Sequence, residues 1–453
     1  MNQAIIAASR FGYGAGPDGT AAIGADPRGW LKSQLARPHP PQAFAGLAAS
    51  PALVVTYQAL QRDRKDAKAE GQAAAEVMPV AMRFPEQAAL RQAVLAEAGA
   101  KLDAVATSPT PFVERLVSFW ANHFTVSGVR PIVRPLAGSF EREAIRPHVA
   151  GRFEDMVLAV VQHPAMGLYL DNWVSVGPDS RVGQRGKRGL NENLGRELLE
   201  LHTLGVDGGY TEQDVRALAR ILTGWSIGGP RFGTPGYFSF VPPIHEPGPK
   251  IFLGQTYPEA GMGEGLAAIR TIAHHPSTAR HVARQLAVHF IADQPPPAAV
   301  DRLAQVFQRS EGDLGAVSAA LVDQPEAWAG YGQKVKTPFD LVASSVRATG
   351  RTLPPERLLQ SLNQLGQGLH MAPSPAGWPD DAQSWVGPEA MLRRVQWAQA
   401  YADEVGNDFD PAGLGDAVLG DTLDPAHRLA ITRAESRPVA LAMLISSPAF
   451  QRR

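Results

Sequence analysis

Cysteine is absent from the 453 residues. That excludes disulfides, thiolate metal centres, iron–sulfur clusters and cysteine nucleophiles. Any metal would have to be held by histidine, carboxylate or backbone oxygen. A charge bias is also missing, since 43 Lys and Arg face 44 Asp and Glu for a formal net charge of -1. Nothing global therefore favours nucleic acid or an anionic membrane as a partner. No uninterrupted apolar run approaches the ~18 residues a spanning helix needs, so no membrane span is expected. The start, MNQAIIAASRFGYGAG, has neither a basic n-region nor a long apolar h-region. It does not read as a secretory signal, and a cytoplasmic location is the expectation. No GxSxG elbow and no GxGxxG after a strand occurs, which counts against a serine hydrolase and against NAD. No internal repeat is evident.

What is present is apolar sequence at helical spacing, with 44% of residues hydrophobic. The pattern predicts a mainly α, large multi-helix globular fold, one family-like helical domain over 1–453, with a small β-hairpin-containing insertion. Asp26-Pro27 reads as an N-cap with proline at N1. One or two long helices are expected over 57–105, and amphipathic helices over 111–124 and 151–170. More helices are expected over 263–292, 299–322 and 387–404 and from 425 onward. Thr337-Pro338-Phe339-Asp340 reads as a capping box opening another. Two stretches break the pattern: a basic glycine-rich loop at 173–190, and a Gly/Pro/aromatic insertion at 226–262. Within the insertion, YFSFV and KIFLG read as the two strands of a hairpin around PPIHEPGP.

The densest signal is NENLGRELLELHTLGVDGGYTEQDV, residues 191–215. On an α-helical wheel, at ~100° per residue, Leu194, Leu198 and Leu201 share one side. Arg196 lies four residues from both Glu192 and Glu200, a surface ion ladder worth ~0.2–0.5 kcal/mol per pair. His202 points away from Glu197 and Glu200, so one helix cannot supply all three as metal ligands. Gly205 reads as the residue ending this helix. Thr211 and Asp214 read as a capping box starting the next. The corner carries no basic cluster of the kind that binds DNA.

NENLGRELLELHTLGVDGGYTEQDVRALARILTGW is similar to the signature of a bacterial family catalogued as domain of unknown function 1800. ASRFGYG, FWANHF, HEPGPKIFLG, HPSTARHVARQLAVHF, KVKTPFDLV and GWPDDAQSW agree with it in order, so the resemblance spans nearly the whole chain. The resemblance implies no assigned activity. It does imply a genetic neighbourhood rich in exported, sulfatase-like proteins. Asn191, Glu192, Asn193, Arg196, Glu197 and Glu200 match the family pattern. Gly195 stands where alanine is usual, and Glu246 where aspartate is more common. The position of His202 is aromatic in some members, which argues against an obligatory ligand. Many members carry export signals, and this chain shows none.

Several groups are candidates for chemistry. His123, His202 and His289 each fall on the apolar face of a helix, and a buried imidazole needs a hydrogen-bond partner or a metal. They are either ligands of one divalent metal, completed by Glu197 or Glu200, or three separate core histidines bonded to carbonyls or carboxylates. Glu197, Glu200 and His202 are the catalytic candidates, since neighbouring carboxylates can separate their pKa values. Against this stands a structural reading, in which Asn191, Asn193 and Glu197 form a buried polar network pinning the next helices. Arg181, Arg185, Lys187 and Arg188 lie in a glycine-rich loop that runs into a helix N-terminus. They are the candidate anion-binding residues, with a solvated loop as the alternative. Asn191, Asn193, Arg196, Trp225, His245, Glu246 and Lys250 are candidates to line a pocket, the alternative being a polar hairpin tip.

Two function classes follow. The first is a non-catalytic accessory or binding protein acting with a sulfatase-like partner, and this is the reading the sequence favours. The other is a metal-assisted or general acid/base enzyme. Its polar centre would be built from 191–202, His123, His289 and the 245–250 loop. An enclosed pocket that gathers histidines and carboxylates would favour the enzyme. A broad exposed apolar groove would favour the partner role.

Overall fold

The structure is a computed structural model that describes residues 3–36, 41–69, 84–186, 189–229, 232–329 and 332–453. The fold is mainly α, and proline and short polar side chains set most helix starts. α1 is Gln3–Arg10. α2, Pro27–Ser33, is capped by Asp26, whose side chain accepts from Gly29 N, as expected. The charged stretch that follows gives α3, Ser50–Ala69, and α4, Pro85–Thr107. α5, Pro111–His123, buries Phe112, Leu116, Phe119 and Trp120, the stripe its spacing predicts. α6 is Phe153–Gln162 and α7 is Asn193–Glu197. α8, Glu212–Ile221, starts at a reciprocal Thr211–Asp214 capping box. α9, Met262–Ala273, and α10, Pro276–Phe290, follow the insertion. α11, Pro338–Thr349, is capped by Thr337, whose side chain accepts from Asp340 N. α12 is Pro388–Val405 and α13 is Arg437–Ser446.

The insertion contains β1, Trp225–Ile227, β2, Phe238–Phe240, β3, Lys250–Phe252, and β4, Gln255–Tyr257. Its pairing differs from the expected hairpin. The YFSFV strand pairs with Trp225–Ile227 (Trp225 opposite Phe240), and the KIFLG strand pairs with Gln255–Tyr257 (Lys250 opposite Tyr257). Each strand therefore turns back on its own sequence neighbour. The 242–246 segment instead packs on the 176–183 loop through Gly177 N to Ile244 O and Val182 N to Pro243 O. β3 and β4 are joined by the two-residue turn Leu253-Gly254, both at positive φ (50° and 71°), which is the geometry of a tight hairpin.

The core is anchored where the chain start, α5 and α10 meet. Phe11, Phe112 and Phe290 pack mutually, with ring centroids 5.5, 5.8 and 5.9 Å apart. Such clusters bury large apolar area with defined geometry. They hold α5 and α10 side by side, and this brings polar residues on both helices to one cavity.

Two irregular turns sit beside that cavity. Glu141–Ile145 and Leu198–His202 are both wound as π-helix. The second replaces the regular α-helix expected through 204. Thr203 Oγ1 donates to Leu198 O at 2.5 Å and Gly205 N to Leu199 O at 2.9 Å, which closes the wide turn. Single π turns inside helices often mark functional sites. Here the widening frees the Leu201 and His202 carbonyls to accept from side chains of other helices.

Candidate active site

A cavity of about 390 Å³ lies between α5, α10, the start of α11 and the 367–381 loop. Apolar walls come from Phe119, Phe339 and Trp378, and polar groups from Arg115, His289 and Asp380 among others. Its size and mixed lining are those of a small-molecule site. The 367–381 loop is clamped on α5. Asn122 Nδ2 donates to Trp378 O at 2.9 Å, and Trp378 N donates to Asn122 Oδ1 at 2.8 Å. Gly377 makes this approach possible: its φ is +80° and a Cβ there would sit 2.5 Å from Asn122 O. His370, also in the wall, is held at φ 54°. That left-handed conformation costs a non-glycine residue free energy, and such strain clusters at ligand sites.

The chemical centre of the cavity is His289 with Asp380. His289 Nδ1 and Asp380 Oδ2 are 2.5 Å apart. This contact assigns the proton of neutral His289 to Nδ1 and leaves a lone pair on Nε2. Nε2 is buried and has no hydrogen-bond partner among the described residues. Burial lowers the His289 pKa from 6.5 to about 4, against the upward pull of Asp380. The imidazole is thus neutral at pH 7. Burial pushes the Asp380 carboxyl up, but His289, Lys334 and Arg453 outweigh it and hold the carboxyl well below its ordinary range. Lys334 also donates to Asp380 O, and Arg453 Nη2 stands 3.5 Å from Asp380 Oδ1.

A second layer fixes this pair. Arg115, 1% exposed, donates from Nε to Gly12 O at 2.6 Å and from Nη1 to Asp340 Oδ2 at 3.3 Å. Its guanidinium lies over the Tyr13 ring, 4.4 Å from the centroid. Asp340 is shared with Arg453, whose Nε is 3.3 Å away. Burial raises the Asp340 carboxyl, and Arg115 and Arg453 more than offset it, so it too stays low. On the opposite wall Lys101 pairs with Glu141, and His370 Nε2 lies 3.5 Å from the same Glu141 oxygen.

Of the three histidines singled out from the sequence, His123 and His289 line the cavity and His202 does not. His123 Nε2 contacts His202 O at 3.0 Å, and its pKa is driven well down by burial. His202 is fully buried, with its ring 5.2 Å from Phe124 and 5.9 Å from His123. Neither ring nitrogen makes a well-formed hydrogen bond among the described residues, and burial lowers its pKa to about 4. Phe119 contacts His123 and His289 alike, at 6.1 and 5.3 Å between centroids. Among the described residues no group of three or more histidine or carboxylate side chains could hold a metal ion. His123, His202 and His289 therefore do not make the joint ligand set that their helix faces allowed.

The remaining candidates fall in two other places. The first is the surface of α7. Arg196 forms a bidentate pair with Glu212 at 2.7 and 2.8 Å and lies 3.5 Å from Glu192, which in turn meets Arg216 at 3.3 Å. The expected ladder to Glu200 is thus replaced by a cross-link to α8, because the π turn takes Glu200 off the α-helical spacing. Glu197 has no ion-pair or hydrogen-bond partner among the described residues. Burial and then Glu200 raise its pKa, yet it lines no part of the cavity. Asn191 Oδ1 caps Asn193 N at 2.9 Å, so the asparagines serve a local turn and the buried network expected of them is not formed. Arg181 and Arg185 are exposed. Lys187 and Arg188 lie outside the described residues.

The second place is the insertion. Glu264 of α9 has a fully buried carboxylate that meets Lys250 Nζ at 2.8 Å, His245 Nε2 at 3.2 Å and Ala260 N at 2.9 Å. His245 Nδ1 contacts Thr223 O at 2.7 Å, and Lys250 donates to Glu246 O at 2.6 Å. Glu246 accepts from Asp179 N at 3.0 Å. Trp225, 2% exposed, packs on Phe238 at 5.3 Å. His245, Glu246, Lys250 and Trp225 therefore build a buried knot that fastens the insertion, apart from the α5–α10 cavity.

Sequence reasoning missed Arg115, Asp340, Asp380, Lys101, Glu141 and His370, and also His281, which lines the cavity with Nε2 2.9 Å from Leu201 O. Asp380 and Asp340 do lie in GWPDDAQSW and KVKTPFDLV, stretches already marked by family resemblance. What pairs them with His289 and Arg115 is contact across 91 and 225 residues of chain, which no local periodicity reports.

No helix among the described residues is long and apolar enough to cross a membrane. Residues 6–452 match the family model described as "Protein of unknown function (DUF1800)". No curated protein and no solved structure matches the chain. The chain belongs to the DUF1800 family.

Proposed function

We propose that this protein is a general acid/base enzyme acting on a small molecule bound in the α5–α10 cavity. The observation that carries the proposal is the His289–Asp380 pair, 2.5 Å apart, with the remaining histidine nitrogen unpartnered. In this reading His289 Nε2 accepts a proton from a bound hydroxyl or water. Asp380 stays ionised, orients the ring and stabilises the imidazolium that forms. Arg453 and Lys334 keep Asp380 anionic throughout. The low His289 pKa supports a base that is free at neutral pH. The low exposure of Arg115 and the burial of His289 Nε2 support the reading further, because electrostatic contacts are stronger away from bulk water.

The test is a depletion assay. The protein is incubated with a complex metabolite extract and consumption is followed by mass spectrometry. Wild type should deplete at least one small molecule that His289→Gln leaves untouched, with melting temperatures within a few degrees. Equal depletion by both proteins would sink the assignment of His289 as the base. The accessory reading, with a sulfatase-like partner, draws on Leu392 and Val395, which are 57% and 47% exposed one turn apart on α12. Stoichiometric pull-down of a co-encoded partner that masks these two residues would favour it.

A further inference from the structure

The same cavity carries a second, separable feature: its buried carboxylates are each engaged by cations, while one nitrogen of a buried cation is left without a partner among the described residues. Glu141 is engaged by Lys101, Asp340 by Arg115 and Arg453, and Asp380 by His289, Lys334 and Arg453. By contrast Arg115, which lines the cavity, uses Nε and Nη1 but leaves Nη2 buried with no partner among the described residues. A buried guanidinium donor left unsatisfied costs free energy, and an oxygen acceptor supplied by a ligand would recover it. Charge-assisted hydrogen bonds to a carboxylate or phosphoryl group are the strongest such contacts. The Phe119 and Phe339 rings and Trp378 offer an apolar surface for the rest of the molecule.

We infer that the cavity binds small molecules through an oxyanion, carboxylate or phosphoryl, anchored on Arg115, with an apolar body lying against Phe119, Phe339 and Trp378. The inference rests on the cavity being a ligand site, as proposed above, but not on His289 acting as a base.

The test compares four probes of one shape on the wild-type protein, by calorimetry or ligand-observed NMR: benzoate, phenyl phosphate, benzyl alcohol and benzylamine. Benzoate or phenyl phosphate should bind at least about tenfold tighter than benzyl alcohol, a difference of ~1.4 kcal/mol. Which of the two wins tells a carboxylate site from a phosphoryl site. Benzylamine should be the weakest of the set. Photolysis with 4-azidobenzoate should label the cavity wall, and excess of the tighter anion should suppress the label. Arg115→Lys should reduce the preference for the anion over benzyl alcohol. If that variant fails to fold, the wild-type series still decides. Equal affinity for benzyl alcohol, preference for benzylamine, binding of none of the four, or labelling outside the cavity would each overturn the inference. His289→Gln should keep the anion preference. Binding that survives while depletion is lost separates the anchor from the base. Depletion of a neutral molecule by a protein with no anion preference would refute the anchor alone.

Discussion

His202 offers the sharpest physical test of the structure, because it is a buried polar ring whose two nitrogens make no well-formed hydrogen bond among the described residues. It is 0% exposed, and its neighbours are aromatic. Replacing it with phenylalanine keeps a planar ring and leaves the His202 carbonyl in place for His123. At pH 7.5 the ring is neutral in both folded and unfolded chains. Removing unsatisfied nitrogens should recover about 1–3 kcal/mol, less some cost for the slightly larger ring. At lower pH a second effect is added. The folded pKa is depressed from 6.5 to about 4, so between those values the unfolded chain takes up a proton that the folded chain refuses. Wild-type stability is therefore lost as pH falls through this window, and His202→Phe escapes that loss. At pH 4.5 the escape is worth about 2.5 kcal/mol at ~1.36 kcal/mol per unit. Other acid-sensitive groups, Asp380 and Glu141 among them, are common to both proteins and cancel in the difference. Urea unfolding at the two pH values measures it through the midpoint and slope. The gain in stability should be modest at pH 7.5 and larger by about 2.5 kcal/mol at pH 4.5. The same shift at both values would refute the reasoning, since it would mean that His202 titrates in the folded protein as it does in solvent.

Three further outcomes follow from the same packing. Glu264→Gln leaves buried Lys250 without its carboxylate, and chemical unfolding should show a loss of about 3–5 kcal/mol; a loss below ~1 kcal/mol would mean that water reaches the pair. Gly377→Ala forces a Cβ against Asn122 O at a positive φ, so it should cost about 1–3 kcal/mol by thermal unfolding and weaken ligand binding as the 367–381 loop shifts. An unchanged melting temperature would count against the clamp. Lys336 is buried against the Phe450 ring, and desolvation lowers its pKa from 10.5 to about 7. Between those values the unfolded chain holds a proton the folded chain has released, so stability should rise with pH over this range. Lys336→Met should remove that slope and be more stable at pH 7, and a persisting slope would assign the titration elsewhere.

How much of this was legible in the sequence depends on the range of the interaction concerned. Caps read correctly because they are decided within four residues: Asp26, Thr211 with Asp214, and Thr337 all cap as spacing and side chain dictate. His123, His202 and His289 all lie on inward-facing sides of their segments, His202 fully buried and His123 and His289 half-buried at the cavity, because periodicity reports which face turns inward. The same periodicity misplaced the partner of Arg196, since a wheel assumes regular winding and the Leu198–His202 turn is π. Glu212, across the corner, then offers the better bidentate geometry. The expected hairpin fails for a related reason: KIFLG has a closer partner in Gln255–Tyr257 across the Leu253-Gly254 turn, which leaves YFSFV to pair with Trp225–Ile227. The site itself was half visible. Its histidines announced themselves as polar groups on apolar faces, but their meaning lies in what meets them. His289 meets Asp380 and His123 meets a backbone carbonyl, while His202 meets neither. Residues of one type on equivalent faces thus come to differ in chemistry through contacts made by the 367–381 loop and by the π turn at Leu198–His202. Periodicity reports neither contact. That is why the polar density of 191–202 drew attention: it is local, sequence-dense and largely a surface cross-link. The cavity lies instead where four segments distant in sequence bring the His289 imidazole, the Asp380 and Asp340 carboxylates and the Arg115 guanidinium to the same small volume.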